Sequence, residues 1–94
     1  MTVAQTIREK LTAALAPLEL SVEDESARHA GHAGARPQGE THFNVRIVAA
    51  AFDGMSRVER QRRVHAVLAD ELSGRVHALA LTTLSPAEAS RAAR

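Results

Sequence analysis

Five histidines and a run of four arginines are the side chains in this 94-residue chain best suited to chemistry. His29 and His32 stand three residues apart, close enough for one metal ion, and with His77 they would make a three-imidazole zinc site. Such a site needs carboxylates behind the rings to hold them, and Glu40 is the neighbouring candidate. His77 stands at the entrance of the apolar run from Val76 to Leu81, in phase with Leu79 and Leu81. A polar ring at the mouth of an apolar strand either hydrogen-bonds a carbonyl or serves as a ligand. His42, beside Thr41, is expected to be structural or flanking, and His65 is expected to pack at the edge of its helix.

Arg57, Arg60, Arg62 and Arg63 crowd the start of one helix. Guanidinium groups there could contact nucleic-acid phosphates or bind carboxylates bidentately. At about 100° per residue, Arg62 and Arg63 fall on the solvent face while Arg57 and Arg60 flank the apolar stripe. Glu59, Asp70 and Glu71 dilute the charge further. The string G-H-A-G at 31–34 matches a nucleic-acid-clamping GxxG, but it lies between two strands rather than two helices. No nucleophile–base pair, phosphate loop or paired carboxylates can be drawn from the sequence, so the reading is non-enzymatic.

The elements that must position these groups follow from periodicity. Thr2 and Gln5 have capping-box spacing, and Val3, Ile7, Leu11 and Leu15 form one helical stripe ending before Pro17. Leu18, Leu20 and Val22 alternate with polar residues, as do Phe43, Val45, Ile47 and Ala49, which predicts two half-buried strands. Between them, residues 24–40 lack periodicity and read as a long loop. Ser56 and Glu59 cap a helix carrying Val64, Val67, Leu68 and Leu72, with Gly74 as its expected left-handed stop. The run from Val76 to Leu81 then predicts a strand covered on both faces. Ser85, Pro86 and Glu88 start a last helix through about Ala93. The order is α-β-β-α-β-α: an α+β, two-layer domain with a three-stranded mixed sheet and helices on one face, spanning 1–94.

Composition sets the remaining bounds. Twelve basic and eleven acidic residues leave a net charge of +1, which disfavours a general nucleic-acid binder. The absence of cysteine excludes disulfides and any thiolate site from this chain alone. With no apolar leader and no stretch of membrane-spanning length, a soluble cytoplasmic monomer is expected.

Taken together, V-E-D-E-S at 22–26, H-A-G-H at 29–32, T-H-F-N-V at 41–45, F-D-G at 52–54, R-Q-R at 60–62 and V-H-A-L at 76–79 resemble the BolA family from about Ile7 to Pro86. The resemblance implies a fold like the type II K-homology domain. It also implies a monothiol glutaredoxin partner and a [2Fe-2S] cluster shared with that partner and its glutathione. One ligand would be His77. The loop ligand would be His29, with His32 as the alternative, and the isolated chain would hold no cluster. The arginines would then dock the partner. Because the family includes DNA-binding members, a DNA-binding regulator using the arginine-rich helix start is the second reading, with weak affinity expected.

Overall fold

The computed structural model describes residues 2–25 and 41–92. Helix α1 (Val3–Leu15) starts at the expected capping box, with the Gln5 N–H on the Thr2 hydroxyl at 3.1 Å and the Thr2 N–H on the Gln5 side-chain oxygen at 2.7 Å. Its stripe buries Ile7, Leu11 and Leu15. Ala16 ends it in the left-handed region, at φ 44°, immediately before Pro17.

Strand β1 (Glu19–Asp24) pairs antiparallel with β2 (His42–Val48), and β2 pairs parallel with β3 (Ala78–Leu84), so β2 is central. Val22, Val45 and Leu81 stand in one row across the sheet on the helix-covered face. The opposite face carries the row Ser21, Arg46 and Thr82, with Arg46 paired to Glu19 at 3.2 Å. Phe43, Val45, Ile47 and Phe52 meet Ile7, Leu11, Val64 and Leu68 in a single core. Helices α2 (Arg57–Val67), α3 (Ala69–Ser73) and α4 (Pro86–Ala92) complete the domain. The α+β class, the mixed sheet and its strand directions are as the periodicity predicted.

Four local expectations are corrected. The central helix is two: it breaks at Leu68, whose φ is −101° and ψ 20°. In a straight helix each fourth residue drifts about 40° around the axis. On either side of the break, Leu68 is 1% exposed and Leu72 packs against the core. Gly74 is not left-handed, having φ −115°; the Glu71 carbonyl closes this turn by accepting from both Gly74 and Val76 N–H. Gly54, at φ 78°, is the left-handed glycine among the described residues. Strand β3 begins at Ala78 rather than Val76, and Ala78, Ala80 and Thr82 are exposed, because no helix among the described residues covers that face. Leu18 precedes β1 and is 69% exposed rather than half-buried.

One buried cation ties the second layer together. Arg60, 8% exposed, donates through Nε to the Met55 carbonyl at 3.0 Å and through Nη1 to the Thr83 carbonyl at 3.0 Å. The same Nη1 reaches the Glu88 carboxylate at 2.5 Å, and the guanidinium lies 5.7 Å from the centroid of the Phe52 ring. Glu88 also caps its own helix, accepting from the Ser85 N–H at 2.7 Å. That backbone donor and the Arg60 guanidinium hold the Glu88 carboxyl down at about 2, against an ordinary 4.5.

Removing the guanidinium strands the buried Thr83 carbonyl, so Arg60→Met is expected to destabilise the fold by about 2 kcal/mol in urea titration. Because the folded pKa of Glu88 is lowered, its stabilisation is present above about pH 4.5 and lost as pH falls towards about 2. In Glu88→Gln the decline in melting temperature across that window should be shallower than in the parent chain; an identical decline would show that the carboxylate contributes nothing.

Candidate metal and partner-binding site

The histidine at the mouth of β3 sits on a clamped backbone. Val76, immediately before it, is buried, and its N–H donates to the Glu71 carbonyl at 3.0 Å. The His77 N–H itself donates to the Thr41 carbonyl at 2.7 Å, and the Ala78 N–H reaches the same oxygen at 3.1 Å. Thr41 is 4% exposed and cannot easily shift. The His77 ring, by contrast, is exposed and makes no side-chain hydrogen bond among the described residues. The backbone, not the imidazole, performs the structural task at this corner. Among the described residues neither ring nitrogen has a partner.

The topology adds a second feature. The Glu25 N–H donates to the His42 carbonyl at 2.7 Å, and Thr41 bonds to His77. The residues flanking segment 26–40 are therefore both anchored at the end of the sheet where His77 sits. His29, His32, Glu40 and the G-H-A-G string fall within that segment, outside the described residues. His42 is half-buried, and its Nδ1 lies 2.9 Å from the Thr41 hydroxyl, which matches a flanking role. Among the described residues no group of three His, Asp or Glu could hold a metal ion. Among the described residues His77 is thus a lone imidazole donor, and in a chain without cysteine any metal centre it joins needs ligands beyond them.

The four arginines do not act together. Arg57, Arg62 and Arg63 are exposed, as their positions around the helix suggested for the last two. Arg60 is withdrawn from the docking set, because its guanidinium is buried against Met55, Thr83, Glu88 and Phe52. Its place beside the apolar stripe was a partial signal, shared with Arg57, which is exposed. His65 is exposed rather than packed at the helix edge. Sequence reasoning had missed the part played by Thr41, for which a threonine before an alternating strand offers no distinctive signal. It had also missed the pairing of Lys10 with Glu71, at 2.8 Å, which ties α1 to α3. The Glu71 contact raises the Lys10 pKa above its ordinary value.

Comparison with known proteins follows the same lines. Residues 11–88 match the family described as BolA-like protein. The chain is 52% identical over 86 residues to SufE-like protein 1 of Arabidopsis thaliana, covering 87% of this chain but 23% of that one. It is 46% identical over 83 residues to the DNA-binding transcriptional regulator BolA of Escherichia coli, covering 88% of this chain and 75% of that one. Among solved structures, BolA1 from Arabidopsis thaliana superposes with a TM-score of 0.83 at 46% identity, over 94% of this chain and 96% of that one. The chain spans between about a quarter and 60% of the length of the curated relatives heading the comparison. No described helix is long and apolar enough to cross a membrane. By the match over residues 11–88 and the shared fold, the chain belongs to the BolA-like family.

Proposed function

We propose that this chain is a non-enzymatic adaptor that lends imidazole ligands to a [2Fe-2S] cluster held jointly with a monothiol glutaredoxin and its glutathione. The observation that carries the reading is the exposed ring of His77, without a hydrogen bond among the described residues, on a backbone clamped by Thr41 and Glu71. A ligand on a rigid element is preorganised and loses little freedom on binding. The second imidazole is His29, with His32 as alternative, reached from a segment whose flanking residues are anchored beside His77. When bound, the cluster supplies electron-transfer or iron-donor chemistry; the chain supplies neutral nitrogen donors and a docking face. Histidine ligation of one iron while thiolates hold the other is an established pattern, and a cysteine-free chain must take its thiolates from the partner. Exposed Arg57, Arg62 and Arg63 suit the carboxylates of glutathione or of an acidic protein surface.

The name of the Escherichia coli relative supports a second reading, DNA binding through the exposed arginines of α2. Three guanidinium groups neutralise about three phosphates, giving a log–log salt slope of about −3 and little affinity at physiological salt.

Mixing the chain with cluster-loaded monothiol glutaredoxin should give a visible spectrum distinct from that of the glutaredoxin alone. The chain by itself should remain colourless with iron and sulfide. His77→Ala is expected to abolish the mixed-complex spectrum while shifting stability by less than about 0.5 kcal/mol, since the ring is exposed. His29→Ala should be milder, with His32 compensating in part. An unchanged spectrum in His77→Ala would remove this histidine from the ligand set.

A separate titration addresses the arginines. Duplex DNA affinity of the isolated chain should vary with salt at a slope of about −3 and be indifferent to sequence. Tight, base-specific binding at physiological salt would place the DNA reading first.

A further inference from the structure

The outer edge of β3 carries backbone groups that the sheet leaves over. The Ala78 N–H donates inward to the Thr41 carbonyl, and the Leu84 carbonyl accepts inward from the Ala49 N–H, so the even-numbered residues of β3 face β2. Backbone polar groups alternate in direction along a strand, and those of Leu79, Leu81 and Thr83 therefore face away from β2. The bond from Arg60 to the Thr83 carbonyl agrees, since Arg60 belongs to a helix and not to the sheet. Arg60 thereby closes one end of the edge. At Leu79 and Leu81 no strand among the described residues pairs with it, because β3 is the last strand of the order β1-β2-β3.

Beside this open edge runs a groove of about 220 Å³, lined by Arg57, Gln61, Leu81, Thr82, Thr83 and Leu84. That volume is small for a cofactor or drug-sized ligand, which takes roughly 300–1,000 Å³. Its walls, a strand edge on one side and a helix on the other, are those of a slot that accepts one more strand. Arg57 and Gln61 are one helical turn apart and face the groove together. No carboxylate lines it among the described residues. Glu59 lies about 200° around the helix from Arg57 and is held in the Ser56 cap.

We propose that the β3 edge is a β-augmentation site for an extended acidic segment of a partner protein. The segment pairs with the outward N–H and C=O groups of Leu79 and Leu81 and sets an Asp or Glu side chain against Arg57. Gln61 offers an amide donor and acceptor to its backbone, and Arg60 fixes where pairing stops. The site does not involve the histidine corner, so it stands or falls independently of cluster ligation.

The test uses the full chain, ¹⁵N-labelled, with the capped peptide TVEVTVE as probe. In the free protein the Leu79 and Leu81 amides should exchange with solvent faster than those of Ala80 and Thr82. Saturating peptide should slow the exchange of Leu79 and Leu81 at least tenfold. Replacing alternate peptide N–H groups by N-methyl should abolish binding without altering charge. Arg57→Glu, which changes an exposed residue, should weaken TVEVTVE at least tenfold and favour TVKVTVK. Equal binding of the N-methylated peptide, or Leu79 and Leu81 amides already protected in the free chain, would overturn the proposal. So would a single-stranded oligonucleotide that protects these amides when TVEVTVE does not.

Discussion

A guanidinium buried between two helices and a strand end is the interaction on which the second half of this domain is arranged. Taking a charged side chain out of water is costly unless hydrogen bonds and an opposing charge compensate for it. Arg60 has all of these: carbonyls of Met55 and Thr83, the carboxylate of Glu88 and the ring of Phe52. Because these partners come from the turn before α2, from β3 and from α4, one side chain sets the relative placement of three segments. The seven-residue α4 is too short to be stable alone, and its attachment to Arg60 together with the Ser85–Glu88 cap holds it in place. On the same helix, Arg57 and Gln61 line the strand edge.

The histidine corner lies at the opposite end of β3 and is built differently. There the main chain carries the rigidity: Thr41 and Glu71 carbonyls pin residues 76–78, and the imidazole engages none of the described residues. A ring used to hold a fold would be expected to lie packed and hydrogen-bonded; among the described residues this one is neither. The parallel pairing of β2 with β3 brings Thr41 beside His77, so a residue 36 positions away in sequence defines the histidine's setting. The two ends of one strand thus divide the labour, one locked by a side chain and the other by the backbone.

The helices, strands and their directions were legible in the chain because they rest on local rules. Capping boxes at Thr2 and Ser56 and period-four stripes on α1 and α2 signal helices through contacts made within a few residues. The alternation of Phe43, Val45 and Ile47 marks a strand with one buried face. The short connection into α2 and the helical crossover to β3 leave little freedom in strand direction. His77 stood out on the same grounds, as a polar residue breaking an apolar pattern, and the tertiary fold added that its ring is exposed and unbonded.

Other features could not be read locally, because they depend on which distant groups converge. Arg57 and Arg60 both flank the apolar stripe in the sequence; burial beside Thr83 and Glu88 sets Arg60 apart. The break at Leu68 has no glycine or proline to announce it and answers to the shape of the core beneath. Gly74 looked like a left-handed stop, yet Glu71 closes that turn from within α3, leaving the positive φ to Gly54. Val76 to Leu81 suggested a strand covered on both sides, since small apolar residues suit a buried face as readily as an open one. Periodicity specifies the face a residue presents, whereas packing determines whether another element comes to meet it.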